Sequence, residues 1–585
     1  MTKPVCKTFT IPFINKILVF IFVISTHNYN YAQEKSIILG RPTNNSVTAS
    51  VLFNQNVQYY LEYGTVSGNY QMSTTLFSNV LNVPDEIDLS NLVANTKYYY
   101  RMQYKLVGAS TYTSTPEYSF NTKRAAGSSF TFTVESDEHL YDIKGNRSMY
   151  QVTLANQAAD NPDFMLSLGD IFGDDHTPLT TTSADMDALH KDYRQYLGQI
   201  CHSIPFYVCL GNHEGENDYY LNPNGIYTTA TNPLPAAPNG IGVWGTQWRK
   251  HYYPNPYPNS FYTGNTVSEN YGINTPENYY SWTWGNALFV VLDVYRTEIF
   301  PGSTPADPSK PTNWDWTLGR TQYDWMRSTL ENSTATHKFV FAHHTRGQGR
   351  GGKSTAFEFE WGGIGGNQYS FDTNRPGWGK SIHQVFLDTG VTIFFQGHDH
   401  LFAKEDVGGN SGTTISTPYQ NSSNTVVYQE VPMPSDISYT IGYTANASAY
   451  PNGNAMDGTG HIRVNVTPTC VNVDYVKAFI QGTTGSAGHT NREVAFSYSV
   501  GSCALGANDV QPEDVINVYP NPANTKVNIQ FKDASTHNCK LLNTMGQTVL
   551  EFDSNEINTT NIPNGIYFLK FDSVKNYTKK IIIKH

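Results

Sequence analysis

The stretch that decides the fold is Val391-Thr-Ile-Phe-Phe-Gln-Gly-His-Asp-His400, an apolar run that ends in a glycine, two histidines and an aspartate. Four earlier stretches repeat this design, each an apolar run that ends in side chains able to bind a metal ion: Phe130–His139, Phe164–Asp170, Phe206–Glu214 and Phe339–His344. Ligands bind just outside the carboxyl ends of strands in open α/β sheets. We therefore expect the five polar ends to converge on one site.

Helical patterns lie between these runs. The apolar face of one predicted helix recurs at three- and four-residue steps and comprises Met186, Leu189, Tyr193, Tyr196 and Ile200. A second helix is predicted over Arg320–Leu330. Strands that alternate with helices indicate a layered α/β core. Residues 215–280 are rich in Asn, Pro, Tyr and Gly, and we interpret them as a long insertion that borders a cleft.

The donor types at the strand ends predict a metal centre. Asp, His and Asn side chains provide oxygen and nitrogen ligands that suit Fe, Zn or Mn. They are too many for one tetrahedral ion and about enough for two. A carboxylate can bridge two ions about 3.5–4 Å apart, and Asp170, on a tight Gly-Asp turn, is the natural bridge. A single match of this kind is weak, but five in order, each after a strand, are strong evidence.

The overall composition excludes several classes of protein. A chain of 585 residues predicts three or four domains. With 39% apolar residues it is too apolar to be disordered, and a net charge of −11 does not favour nucleic acid as a scaffold partner. A small phosphorylated substrate remains compatible with this charge. Two disulfides are candidates, Cys201–Cys209 and Cys470–Cys503, with buried free thiols as the alternative.

The N-terminus has the form of a signal peptide. Lys3, Lys7 and Lys16 precede the apolar run Ile17–Ile24, which is too short to span a bilayer. We predict a signal peptide over residues 1–32, with a buried strand as the alternative. No stretch elsewhere approaches membrane length, so we expect no stable membrane span. The protein would be secreted or exposed at the cell surface, by way of the periplasm.

Both flanks of the central part predict β-sandwich domains. Residues 33–124 contain short β-rich segments, and Asp88–Arg101 has a leucine-anchored turn before a strand whose tyrosine can bond back to that turn. This part resembles a fibronectin type III domain of the kind found ahead of purple acid phosphatase catalytic domains. Residues 513–585 have β runs divided by Pro-Asn, Met-Gly and Asn-Gly turns. Their YPNPA opening, MGQ turn, NGIY strand and basic last strand resemble the C-terminal sorting domain of the type IX secretion system, which implies its secretion machinery as a partner. An ordinary immunoglobulin-like module is the alternative for this tail.

The five strand ends, D-x-H, G-D, G-N-H-E, H-H and G-H-x-H, resemble the calcineurin-like metallophosphoesterase superfamily over about residues 128–405. The resemblance implies an α/β fold, with a four-layer α/β/β/α catalytic domain over residues 125–505 between the N-terminal and C-terminal β-sandwiches. It also implies the ligands of two divalent or trivalent transition-metal ions. Asp137, His139 and His400 would bind the first ion. Asn212, His343 and His398 would bind the second, and Asp170 would bridge the two.

The sequence departs from the family at two places. Purple acid phosphatases place a metal-binding tyrosine three residues after the bridging aspartate, where this chain has Gly173, and their first motif lacks the histidine of D-x-H. We therefore expect no iron–tyrosinate colour. Thr345 replaces a proline that often follows the paired histidines. The cationic, Gly-rich loop that begins there supplies Arg346 and Arg350, which with His344 are candidates for substrate binding, although a solvated surface loop would have the same composition.

These residues predict a secreted, binuclear-metal phosphoesterase that hydrolyses phosphate esters by metal-activated hydroxide. His213 would protonate the leaving group, so His213 and Asp170 are the expected catalytic residues. The domain order resembles purple acid phosphatases, which makes a phosphomonoesterase similar to acid phosphatases the first expectation. A phosphodiesterase or nucleotidase is the alternative. A non-catalytic surface binding protein on a degenerate phosphoesterase scaffold is a third interpretation.

Overall fold

The computed structural model begins at Lys35 and describes most of the chain. The described residues are 35–172, 180–217, 227–229, 232–233, 239–297, 314–345, 350–410, 413–451, 453–503, 516–531, 539–544, 546–571 and 578–585. The predicted signal peptide, Gly173 and Arg346 lie outside these ranges. Within them, no helix has the length and apolar character needed to cross a membrane.

The N-terminal part is a β-sandwich. Its three-stranded sheet comprises Lys35–Gly40, Val47–Phe53 and Asp85–Leu89. The second sheet comprises Met72–Ser73, Phe77–Ser78, Val57–Gly64, Lys97–Leu106, Thr113–Ser114 and Tyr118–Asn121. Buried and half-buried residues alternate along much of Val57–Gly64, as expected for a strand with one face in a core. The backbone N–H of Val93 donates to the Tyr98 hydroxyl at 2.9 Å, which is the predicted bond between the strand and the leucine-anchored turn.

The central part contains two mixed sheets. The first orders its strands Phe206–Val208, Phe164–Ser167, Phe130–Glu135, Gly460–Val466, Cys470–Lys477 and Val494–Gly501. The second orders its strands Thr263–Gly264, Tyr280–Trp284, Ala287–Val291, His337–Phe341, Ile393–Gln396, Thr425–Glu430 and Ala403–Gly408. Strands that carry ligand motifs pair in parallel within each sheet, so their carboxyl ends share one edge. Three of these strands, Phe164–Ser167, His337–Phe341 and Ile393–Gln396, are buried along their whole length, as is typical of parallel strands covered on both faces.

Aromatic side chains fill the space between the two sheets. The Phe132 ring lies 5.5 Å from Phe164 in its own sheet, and 5.2 and 5.3 Å from Phe289 and Phe339 in the other. Helices cover both outer faces: Arg147–Ala159, Ser183–Leu197 and Ile241–Tyr252 on the first sheet, and Gly319–Glu331 and Ile382–Thr389 on the second. This is the predicted four-layer α/β/β/α arrangement. Both predicted helices are present, although the first ends before Ile200.

Shorter elements complete the central part. The short helices are Gly352–Thr355, Phe359–Gly362, Phe371–Asn374 and Ile441–Asn446, with 3-10 turns at Asn212–Glu214, Ala447–Ala449 and Thr484–Ser486. Two small hairpins pair Tyr227–Thr229 with Asn232–Pro233 and Ile364–Gly365 with Gln368–Tyr369. Cys470 and Cys503 form a disulfide, whereas Cys201 and Cys209 are buried free thiols. Of the two candidate disulfides, the first along the chain is therefore absent, and the second is present.

The N-terminal sandwich packs against the central part through buried polar contacts. Arg194, on the helix Ser183–Leu197, is fully buried and donates to the hydroxyls of Ser36 and Ser50 at 2.8 and 2.9 Å. Arg124, at the predicted boundary between the domains, forms a bidentate ion pair with Asp163 at 2.6 and 2.8 Å. A buried arginine left without these partners would be strongly destabilising, so these contacts hold the two domains in one orientation.

The C-terminal part is a second, smaller β-sandwich. One sheet comprises Ile516–Tyr519, Lys526–Phe531 and Glu556–Asn558, and the other Thr548–Phe552, Cys539–Leu542, Gly565–Phe571 and Thr578–Ile583. Its core is formed by side chains from both sheets, among them Val527, Ile529, Leu541, Leu569 and Ile581.

Candidate metal centre

The five predicted strand ends meet in one place. Two groups of candidate ligands form there, and within each group the ligand atoms lie within 4.8 Å of one another. The first group contains Asp137, His139, Asp170 and His400, and the second contains Asp170, His343 and His398. Asp170 therefore belongs to both groups. The two groups contain six of the seven predicted ligands, all of them carboxylates or imidazoles. The seventh predicted ligand is the amide of Asn212.

Distances within the cluster are those of groups that face a common centre. The Asp170 Oδ2 atom lies 3.0 Å from His343 Nε2 and 3.8 Å from His139 Nε2. On the other side, His139 Nε2 and His400 Nε2 are 3.2 Å apart, and Asp137 Oδ1 is 3.4 Å from His400 Nε2. Mixed oxygen and nitrogen donors at this density are the ligand set that first-row transition metals prefer.

Five of the ligands adopt a left-handed backbone conformation. Their φ angles lie between 43° and 78°: Asp137, His139, Asp170, His398 and His400. Each such residue costs about 1–3 kcal/mol when it is not glycine, and strain of this kind persists where the surroundings enforce it, often at functional sites. The sharp turns aim several side chains from successive strands at one point.

Glycines beside the ligands permit the close approach of the turns. A Cβ added to Gly211 would lie 2.2 Å from Asp170 Oδ1, and one added to Gly397 would lie 2.7 Å from Asp137 Oδ2. A methyl group at either position would therefore displace a predicted ligand. Glycine at these positions therefore lets the turns pass close to the ligands.

Groups outside the cluster orient two of the imidazoles. His343 Nδ1 lies 3.0 Å from the Leu168 carbonyl oxygen, so an Nδ1 proton can be donated there and Nε2 faces Asp170. His139 Nδ1 lies 2.8 Å from the carboxylate of Asp142, which leaves its Nε2 toward His400. Such partners fix the ring orientation and tautomer of metal-binding histidines. Asp142 had no predicted role, although an acidic residue three positions after a ligand was a usable signal.

Glu214 ties the turns that carry Asp170 and Asn212 together. Its buried carboxylate accepts hydrogen bonds from the backbone N–H groups of Ile171 at 2.8 Å, Asp170 at 3.1 Å and Gly211 at 2.5 Å. Glu214 was part of the quoted motif but had no predicted role. Its burial, together with the nearby Asp170 carboxylate, raises its pKa to about 7.

The electrostatics of the cluster depend on its opposite charges. Burial lowers the pKa of His343, but the adjacent Asp170 carboxylate outweighs this and raises it to about 9. Burial likewise opposes ionisation of Asp170, yet the nearby His343 and His213 imidazoles hold its pKa well below its ordinary value. For His398 and His400, burial lowers the pKa well below the ordinary value. The neutral imidazoles of His398 and His400 and the ionised carboxylate of Asp170 are in the protonation states that bind metal ions, whereas a metal ion at His343 would have to displace its proton.

Buried acceptors in the cluster fit a bound cation. Asn212 Oδ1 is buried and has no hydrogen-bond donor among the described residues, and the buried Asp170 Oδ2 faces His343 Nε2, itself a predicted metal ligand, at 3.0 Å. An acceptor in this state costs about 1–3 kcal/mol, and more when it is charged. A cation would satisfy both atoms, and Asn212, the seventh predicted ligand, would then join the second group. The residues present thus fit a metal centre.

His213 and His344 lie beside the two ligand groups. The His213 ring centroid is 4.8 Å from that of His139, and its backbone N–H donates to Asp170 Oδ1 at 2.9 Å. The His344 ring centroid is 5.4 Å from that of His398. Both residues are buried. The structure therefore brings both predicted residues to the centre, one beside each group.

Arg350, a predicted phosphate ligand, contacts the Gly-His-Asp-His turn. Its guanidinium donates to the His398 carbonyl oxygen at 2.9 Å and to the Asp399 carboxylate. Asp399 also accepts from the Gly351 backbone N–H at 2.9 Å and from the Tyr450 hydroxyl at 2.7 Å. Arg350 therefore attaches the Gly-rich loop to the Gly-His-Asp-His turn. Arg346, the other predicted arginine, is outside the described residues.

Comparison with known proteins identifies two regions. Residues 130–402 match the family model described as calcineurin-like phosphoesterase, and residues 517–584 match the model described as secretion system C-terminal sorting domain. No curated protein sequence is a significant match to the chain.

Among solved structures, that of PhoD is 16% identical and covers 82% of this chain and 92% of its own, with a TM-score of 0.55. The similarity to PhoD concerns the fold. The sensor domain of the anti-sigma factor RsgI4 from Pseudobacteroides cellulosolvens, also 16% identical, covers 15% of this chain and 74% of its own at a TM-score of 0.14. A match of that size says nothing about the chain as a whole.

Proposed function

Through residues 130–402 the chain belongs to the calcineurin-like phosphoesterases, which makes it a metal-dependent hydrolase of phosphate esters, and we propose that it works with two transition-metal ions. The observation that carries this proposal is the membership of Asp170 in both ligand groups. One ion would be held by Asp137, His139 and His400, and the other by Asn212, His343 and His398. Asp170 would bind both. Fe, Zn and Mn suit these donors equally.

The chain's own residues then prepare a phosphate ester for attack by water. When bound, the metal ions neutralise charge on the ester and increase the acidity of water. Asp170 stays ionised because of the nearby His343 and His213 imidazoles, so it keeps its negative charge between the two ligand groups. His213 lies next to Asn212 and beside His139, where an imidazole proton can be delivered to the leaving oxygen. His344 would donate a hydrogen bond to an oxygen of the ester.

Phosphomonoesters are the first proposed substrates, since His213 and His344 bring two imidazole donors to the cluster, one on each side. Phosphodiesters are a second candidate, favoured by the ion pair between Arg350 and Asp399. That pair removes a cation expected to compensate the second charge of a monoester. A diester carries a single charge and depends less on such a cation.

Export is the other part of the proposal. The sorting domain at residues 517–584 indicates secretion or display at the cell surface. We propose a signal peptide over residues 1–32, a fibronectin type III-like sandwich over 33–124, the catalytic domain over 125–505 and the sorting domain over 513–585. The type IX secretion machinery would be the partner of the last domain, after passage through the periplasm.

The test is a substrate panel with two matched variants. Purified protein is assayed on nitrophenyl phosphate, bis(nitrophenyl) phosphate and an alkyl phosphate, with and without a chelator. His343→Ala should abolish hydrolysis. His337→Ala changes a buried histidine at the start of the same strand, outside the cluster, and should retain hydrolysis. Equal loss in both variants, or hydrolysis that persists in His343→Ala, would contradict the assignment. The ratio of monoester to diester rates decides between the two substrate classes.

A further inference from the structure

A groove of about 700 Å³ lies at the opposite end of the second sheet from the candidate metal centre. It is bordered by Ala287, at the start of one parallel strand, and by Thr336, just before the next. That next strand begins at His337 and leads to His343 at its carboxyl end. At about 3.3 Å per residue, the two ends are about 20 Å apart. The groove is therefore separate from the phosphoesterase site.

The lining of this groove is polar but uncharged. None of the described residues that line it is Asp, Glu, Lys, Arg or His. Its polar groups are hydroxyls and amides, including those of Thr283, Asn286, Ser328 and Asn332. The chain has 87 charged side chains, 38 Lys and Arg plus 49 Asp and Glu. A groove of this size whose lining contains none of them selects against ionic ligands. Hydroxyl and amide groups can both donate and accept hydrogen bonds.

Two aromatic side chains give the groove apolar surfaces. Trp325 and Phe261 line it and are partly exposed. The Trp325 indole is held in place, because its Nε1–H donates to Thr263 Oγ1 at 3.2 Å and its ring lies 4.9 Å from the Tyr279 ring. A fixed indole can bind a ligand without the entropic cost of ordering it first.

We propose that this groove binds a neutral oligosaccharide. The C–H face of a sugar ring packs on an aromatic ring, while its hydroxyls exchange hydrogen bonds with Ser, Thr and Asn side chains. The volume falls within the range of about 300–1,000 Å³ that small-molecule sites occupy. Sugar hydroxyls would add to the hydrogen bonds that Asn286, Ser328 and Asn332 already make within the protein. The residues that line the groove give an ionic ligand no countercharge, and the Lys123 ammonium outside the lining lies 5.5 Å from the Phe261 ring centroid.

The test is native electrophoresis of the full chain through gels that contain dextran, mannan or laminarin as neutral probes and alginate as the acidic one. The two variants are Trp325→Ala, which removes the fixed ring, and Thr283→Glu, which adds a charge at an exposed position. Trp244→Ala, a partly buried tryptophan on the helix Ile241–Tyr252, is the matched control outside the groove. We expect at least one neutral polysaccharide to retard the protein, with affinity reduced at least 10-fold in both groove variants. The control should be retarded like the natural protein, and hydrolysis of nitrophenyl phosphate should be unchanged in all three.

Three results would overturn the proposal. The first is no retardation by any neutral probe, and the second is equal retardation by alginate. The third is retardation that both groove variants retain. If Trp325→Ala fails to fold, Thr283→Glu decides the question alone, because its side chain is exposed and its replacement leaves the core intact. If no probe retards the protein and the natural protein self-associates whereas Thr283→Glu does not, the groove binds a second copy of the chain. That result would refute the oligosaccharide proposal.

Discussion

Replacement of Glu214 by Gln should loosen the metal centre without touching a proposed ligand. The Glu214 carboxylate accepts three backbone N–H groups, two of them on Oε2. A glutamine can keep its carbonyl oxygen toward the N–H groups of Asp170 and Gly211, but its NH₂ group would then face the N–H group of Ile171. At a pH above the Glu214 pKa of about 7, one hydrogen bond to a charged acceptor is lost, worth about 1.5–3 kcal/mol, so the expected destabilisation is about 1.5–3 kcal/mol.

The assay measures melting temperature and metal content together. At about 2 °C per kcal/mol for a large domain, Glu214→Gln should lower the melting temperature by roughly 3–6 °C. A chelator concentration that leaves the natural protein loaded with metal should remove metal from the variant, because the neutral amide holds the turns that carry Asp170 and Asn212 together less strongly.

Glu360→Gln is the matched control. Glu360 is also buried and accepts from the Leu318 backbone N–H at 2.8 Å and from the Thr317 hydroxyl at 2.6 Å, but it contacts no proposed ligand. Glu360→Gln should lower the melting temperature and retain its metal. A Glu214→Gln protein with natural melting temperature and metal retention would refute the anchoring role. Equal metal loss in both variants would show that general instability is the cause.

Three other predictions concern His213 as the general acid, the pH dependence of stability through His383, and the C-terminal residues 513–585. His213→Asn should keep its metals and lose about 10²–10⁴-fold in rate on an alkyl phosphate, but much less on nitrophenyl phosphate, whose leaving group needs no proton; equal losses would exclude a general acid. Burial lowers the pKa of His383 to about 4, so the folded state favours the neutral imidazole. The resulting contribution to the free energy of unfolding is lost as the pH falls from about 6.5 to 4, at up to about 1.4 kcal/mol per pH unit. The melting-temperature difference between the natural protein and His383→Gln should therefore narrow over that range, and a constant difference would contradict the reasoning. Deletion of residues 513–585 should leave hydrolysis in vitro intact and retain the protein in the periplasm of a host with the matching secretion system, whereas normal surface delivery would refute the sorting role.

The sequence predicts the architecture of the core and the convergence of the ligands because both depend on which residues follow each strand along the chain. Each ligand follows its own strand, and parallel pairing alone brings the strand ends to one edge. The helix predicted over Arg320–Leu330 lies within the observed helix Gly319–Glu331.

Contacts between distant parts of the chain could not be predicted in this way. Arg350 was expected to bind phosphate because of its loop composition, but its partner Asp399 lies 49 residues away. The three bonds of Glu214 and the burial of Arg194 against Ser50 are likewise set by tertiary packing, which leaves no periodic signal. The left-handed conformation of ligands such as His398 was also unexpected, since only a few per cent of non-glycine residues adopt it.

Metal content per chain in the natural protein and in Asp170→Asn is the most direct test of the two-metal account. Asparagine keeps the shape of the side chain and removes the charge shared by both ligand groups. We expect about two transition-metal ions per chain in the natural protein, and a loss from both sites with a collapse of activity in the variant. One ion per chain in the active natural protein, or two ions retained by Asp170→Asn, would contradict the bridging role of Asp170.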